Sequence, residues 1–120
     1  MEVDTETGET RVRAVWSGHD VGRDQVARRA LDMIAYVEFP RPVTTLASHL
    51  NAAQLKRLDL ARALASDPRL LLLDELAAGL TPGELASMAT LLRRIRGDGV
   101  TIVMVEHVMP VVMQLADRML

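Results

Sequence analysis

The sequence predicts an α/β fold in which parallel core strands are flanked by helices. Three observations carry that prediction. Leu70-Leu71-Leu72-Leu73 and Val100-Thr101-Ile102-Val103-Met104-Val105 are short apolar runs that read as strands, and the unbroken leucine run reads as one buried on both faces. One helix-length segment separates them, and a strand–helix–strand unit of this kind joins its strands in parallel through a right-handed crossover. The remaining ordered segments repeat apolar residues at three- and four-residue spacing, the period of amphipathic helices.

Along the chain the elements follow in turn. Residues 1–22 are weakly patterned: Arg11-Val12-Arg13-Ala14-Val15-Trp16 alternates loosely, as a short edge strand would, and Gly18 and Gly22 read as loop. From Arg23 to about Val37 the row Val26, Ala30 and Ile34, with Ala27, Leu31 and Ala35 beside it, predicts a helix that Pro40 and Pro42 stop. A second helix begins at Asn51, whose side chain can accept from the free amides of the first turn. Its stripe is Leu55, Leu58, Ala61, Leu64 and Ala65, with Lys56, Arg57, Asp59 and Arg62 off it, and Asp67-Pro68 ends it. Thr81-Pro82-Gly83-Glu84 combines an N-cap Thr, a Pro at the first helical position and a Glu at the third, a capping box that starts the third helix. Leu85, Met88, Ala89, Leu92 and Ile95 form its buried face, Gly97 and Gly99 close it, and a last helix runs from about Met109 to Asp117. The domain therefore covers 23–120, with a helical region at 23–65 and the strand-bearing region at 69–120.

With 120 residues the chain holds one domain and one modest core. The absence of cysteine excludes disulfides, thiolate zinc sites and a Cys nucleophile. A net charge of −2 and 2 % aromatic residues exclude a phosphate-backbone field and a stacking platform, so nucleic acid is not expected as a partner. The apolar runs fall short of the roughly 18 residues a membrane span requires. The polar start MEVDTETGET is the opposite of a signal peptide, so the expected compartment is the cytoplasm.

Chemistry gathers at the ends of the two strands. Asp74 and Glu75 follow the leucine run directly, at the carboxyl edge where open α/β sheets bind ligands. One carboxylate holding Mg²⁺ while the other polarises a water accounts for both; a solvated turn accounts for them equally. Glu106-His107 follows the second strand, and a parallel pairing brings its end to the same edge. His19 and His49 lie in loops with no ligand-spaced neighbour, Met104, Met109 and Met113 read as core filling, and Arg93, Arg94 and Arg96 complement a helix C-terminus.

From about Leu46 to Leu120 these residues resemble the C-terminal half of an ABC-type ATPase domain, a P-loop NTPase-like fold, most of all the ATP-binding subunits of branched-chain amino-acid importers. Leu50-Asn51-Ala52-Ala53-Gln54 and the helix after it resemble the signature motif, and Leu70 to Glu75 the Walker B strand. Ala77-Ala78-Gly79-Leu80-Thr81-Pro82 resembles the D-loop, and Glu106-His107 the switch histidine, which stands 32 residues after Glu75. The helix at 23–37 resembles part of the helical subdomain before the signature motif.

The resemblance implies roles. Asp74 would hold Mg²⁺ through water, Glu75 would polarise the attacking water, and His107 would contact the γ-phosphate of ATP. Asn51, Ala52, Ala53 and Gln54 would offer a helix N-terminus to ATP held by a second ATP-binding subunit, with Thr81 in the adjoining D-loop. It further implies transmembrane permease subunits as partners and a peripheral position on the inner face of the cell membrane. The sequence departs from the family at Asn51, Ala52 and Ala53, where Ser and two Gly are usual, and at Leu76, Thr81 and Val108, where Pro, Asp and Asp are common. No G-x-x-x-x-G-K-[ST] occurs, and the single lysine, Lys56, follows no Gly-rich loop. About half of the expected domain, with most of the nucleotide pocket, is therefore absent from these residues, and ATP hydrolysis by this chain alone is not expected. A non-catalytic remnant or binding module, associating with a full ATPase subunit or permease, is the alternative. Strands without their usual neighbours make a dimeric or aggregation-prone chain the expectation.

Overall fold

The computed structural model describes residues 2–3, 10–11 and 23–119. Strands β1 (Glu2–Val3) and β2 (Thr10–Arg11) pair antiparallel. Val12 to Trp16 of the loosely alternating segment, with Gly18, His19 and Gly22, lie outside the described residues. Next come α1 (Arg23–Tyr36), a single 3₁₀ turn (Ala47–His49), α2 (Ala52–Leu64), β3 (Leu70–Asp74), α3 (Pro82–Gly97), β4 (Thr101–Val105) and α4 (Met109–Leu115).

Strands β3 and β4 run parallel in register from Leu70 opposite Thr101 to Asp74 opposite Val105, so both end at one edge. The helices pack on one side of this pair. The core is Val37 from the end of α1, Leu60, Ala61 and Leu64 from α2, Leu71 from β3, and Met88, Leu91, Leu92 and Ile95 from α3.

Burial on both faces, expected for the leucine run, is overturned. Leu71 is 4 % exposed, whereas Leu70 and Leu72 on the other face are 52 % and 53 % exposed. Val103 and Val105 of β4 continue that open face. The reason is geometric: alternate residues of a strand point to opposite faces, and α2 and α3 cover only one of them.

Two helix faces also differ from expectation. Of the α1 row, Val26, Ala30 and Leu31 are exposed; the helix packs on the core through its last turn and the residues after it, by Met33, Ile34, Tyr36, Val37 and Phe39, and Arg29 adds an exposed ion pair to Asp67 at 3.8 Å. In α2, Leu55 is exposed and Leu60 is buried, which turns the stripe toward the C-terminal half of the helix. That rotation brings Lys56 and Arg57 inward. Arg57 donates to the carbonyl of Val37 and to the Ser87 hydroxyl, tying α1, α2 and α3 together. The α3 face holds as expected, with Leu91 added and Leu85 half-buried. Arg94 of α3 lies over the Tyr36 ring at 4.4 Å and pairs with Glu38 at 2.7 Å, while Arg96 reaches Leu115 and Asp117 at the end of α4. The arginines at the end of α3 therefore join neighbouring elements as well as facing a helix C-terminus.

Candidate functional site

At the shared edge the chain leaves β3 through Glu75, whose φ of +47° lies in the left-handed region. A non-glycine residue held there costs on the order of 1–3 kcal/mol and persists only where its surroundings enforce it. Glu75 N–H donates to the carbonyl of Val105 at 2.9 Å, which carries the parallel ladder one residue past Asp74. The chain then turns through Leu76, Ala77, Ala78 and Gly79, with Ala78 N–H bonding back to the Glu75 carbonyl and Leu80 N–H to that of Ala77. Gly79 has φ +74°, a conformation that suits glycine.

The parallel register delivers His107 to this turn. His107 Nδ1 lies 3.7 Å from Glu75 Oε1, and both side chains are largely exposed. An exposed pair of this kind adds little stability, so its consequence is position: a carboxylate and an imidazole open to one solvent-facing edge. Asp74, one residue earlier, is exposed at the same edge. Among the described residues no three His, Cys, Asp or Glu gather as a metal-ligand group. One exposed carboxylate at a strand end fits Mg²⁺, which keeps several waters and takes its other ligands from substrate phosphates.

The expected signature residues form their own cluster at the start of α2. Asn51 Oδ1 accepts from Gln54 N–H at 2.9 Å, and Gln54 Oε1 accepts from Asn51 N–H at 3.1 Å, a reciprocal capping box. The box uses two of the amides expected to face a phosphate, which leaves those of Ala52 and Ala53 as the free first-turn donors. Thr81 is likewise occupied: its hydroxyl donates to Glu84 Oε2 at 2.9 Å and accepts from Glu84 N–H at 3.3 Å, capping α3. The Thr81 backbone N–H, which donates to Glu84 Oε2 at 2.8 Å, and then the Thr81 hydroxyl hold the Glu84 carboxyl below its ordinary range.

Two side-chain grips on the turn after β3 escaped the sequence reading. Lys56 Nζ donates to three carbonyl oxygens of the turn, those of Glu75 at 3.1 Å, Leu76 at 2.7 Å and Ala78 at 2.6 Å. Burial pushes this ammonium below the usual lysine range, and the carboxylates of Glu106 and Glu75 act against the fall. From the other side Glu106 Oε1 accepts from Ala77 N–H at 2.6 Å, while its Oε2 is buried without a partner among the described residues. Nothing in the spacing of Lys56 signals this, because its contacts are to backbone atoms distant in sequence. A larger groove, of about 840 Å³, lies between β4, α3 and α4, but Asp74, Glu75 and His107 do not line it.

This fold is shared with known proteins. The chain is 36 % identical over 99 residues to a methionine import ATP-binding protein from Oceanobacillus iheyensis, across 82 % of this chain and 29 % of the relative. It is 36 % identical over 96 residues to the corresponding protein of Leifsonia xyli, across 79 % of this chain and 28 % of that one. Among solved structures, a nucleotide-free ATP-binding cassette from an ABC transporter superposes with a TM-score of 0.76 at 20 % identity, over 92 % of this chain and 44 % of the other. A bacterial ABC transporter cassette solved as a dimer gives 0.67 at 28 % identity, over 82 % and 43 %. No protein-family model matches the chain. The chain thus spans under a third of the curated relatives it matches.

The described residues have the fold of part of an ATP-binding cassette of the ABC-transporter type. The expected kinship with branched-chain amino-acid importers is corrected, because the matching relatives are methionine import proteins.

Proposed function

We propose that this chain serves as part of the ATP-binding subunit of an ABC importer for an amino acid of the methionine class, working against a second ATP-binding subunit and a transmembrane permease on the inner face of the cell membrane. The observation that supports it is the edge itself: the parallel register of β3 and β4 brings Asp74, Glu75 and His107 to one place, with Glu75 Oε1 and His107 Nδ1 3.7 Å apart. Bound MgATP supplies a transferable γ-phosphoryl group and a cation to neutralise its charge. Asp74 binds that cation through water. Glu75 orients a water molecule and accepts its proton at a carboxylate oxygen. His107 donates a hydrogen bond toward the terminal phosphate. Ala52 and Ala53 present their amides, and the positive end of α2, to a nucleotide held by the second subunit.

Hydrolysis at this edge requires a phosphate-cradling loop, which lies outside these 120 residues. The test is sedimentation of the chain mixed with an intact, P-loop-bearing ATP-binding subunit of a methionine importer. A complex that forms in MgATP, is lost in MgADP, and is lost again in Ala53→Glu supports the proposal. Equal association in both nucleotides, or none in either, refutes it. A MgADP-independent complex would favour the binding-module alternative.

A further inference from the structure

The turn after β3 is held from two sides by side chains with no assigned part in the chemistry. Lys56, on the second turn of α2, gives all of its hydrogen-bonding capacity to the carbonyls of Glu75, Leu76 and Ala78. Glu106, the last residue before His107, takes the amide of Ala77, which is 5 % exposed. Between these grips Glu75 sits in a left-handed conformation that an acidic side chain does not choose unaided. An ammonium that gathers three carbonyls fixes their relative directions, and charged partners make such bonds stronger than neutral ones.

We propose that Lys56 and Glu106 are positioning residues for the Glu75–His107 pair, clamping the 75–78 turn so that the Glu75 carboxylate keeps its place and the first turn of α2 moves with it. This rests on the function proposed above. Lys56 lies five residues after Asn51, so whatever the start of α2 contacts is linked through one side chain to the backbone that aims Glu75. Glu106 makes the same link from the β4 side, one residue from His107. Both grips close on a single turn, and the carboxylate, the imidazole and the helix N-terminus become one body.

The experiment is NMR on the full 120-residue chain without nucleotide. Because Lys56 is the single lysine, ¹⁵N-lysine labelling gives one side-chain ammonium signal, expected to be protected from exchange. The Glu75 amide–Hα coupling reports its φ, and amide exchange at Ala77 reports the Glu106 bond. In Lys56→Met the Glu75 coupling is expected to shift away from its left-handed value. In Lys56→Met and Glu106→Ala the Ala77 amide is expected to exchange about tenfold faster or more, as loss of a hydrogen bond to a charged group implies. Core amides of α3 keep their rates. Glu106→Gln retains a carbonyl oxygen for Ala77 and is expected to restore its protection. An unprotected ammonium, an unchanged Glu75 coupling, equal behaviour of Glu106→Gln and Glu106→Ala, or a uniform change across all amides overturns the proposal. None of these readings depends on MgATP. Failure of the functional reading appears separately, as a missing nucleotide-dependent complex with the clamp intact.

Discussion

Two neighbouring leucines of β3 separate the observed packing from the burial inferred for a fully enclosed strand. Leu71 is 4 % exposed and lies in the core, while Leu72 points to the open face at 53 %. Truncating Leu71 to Ala removes buried methyl groups and leaves a cavity among α2 and α3, so a cost of about 3 kcal/mol is expected, within the usual range for Leu→Ala in cores. The same change at Leu72 loses only half of the transfer free energy of the side chain and leaves no cavity, so about 1 kcal/mol or less is expected. Both are read by urea denaturation, with midpoints compared at constant slope, at protein concentrations low enough to keep the chain unassociated. The difference, about 2 kcal/mol, is large against the uncertainty of such fits. Equal costs would refute the argument, because they would mean that Leu72 is covered in solution by something other than the helices described here.

The same open face predicts that Val103→Lys lowers self-association in sedimentation without lowering the denaturation midpoint at high dilution, since a charge on an exposed apolar strand blocks edge and face contacts. Arg57→Ala is expected to cost about 2 kcal/mol in urea melts, because the carbonyl of Val37 loses its donor in a buried setting; Arg57→Lys is expected to recover only part of it. Thr81→Ala should cost about 1 kcal/mol and loosen the first turn of α3 in amide exchange. The Glu84 carboxyl sits below its ordinary value near 4.5, so its contribution is present above that pH and is lost as pH falls through the lower folded-state value. Protection of the first turn of α3 should therefore fade on acidification below about pH 4.5 in the wild type and not in Glu84→Gln.

Much of the fold was legible because its signals are local. The capping box at Thr81 and Glu84, the N-cap at Asn51 and the stop at Asp67-Pro68 each act through bonds or steric limits within four residues, and each stands where it was read. Parallel pairing was legible too, because two apolar runs joined by one helix leave few other solutions. The meeting of Glu75 and His107 followed from that pairing. What was not legible depends on which surfaces meet. The α2 stripe was misjudged at Leu55 and Leu60, since several apolar residues around a helix allow more than one buried face. The capping box at Asn51 also engages Gln54 and its amide, a reciprocal bond that only coordinates reveal.

The sequence by itself determined the order of elements, their caps, and the placing of acidic and imidazole groups at strand ends. These follow from steric and hydrogen-bonding rules that operate over a few residues. Only the tertiary structure decided that one face of the β3–β4 pair stays open, that α1 packs on the core through its last turn and the residues after it, and that Lys56 and Glu106 close on the turn carrying Glu75. The bonds of Lys56 and Glu106 join side chains to backbone atoms 19 to 29 residues apart, where the preference of any one residue is too weak to choose its partner and packing of the whole chooses it.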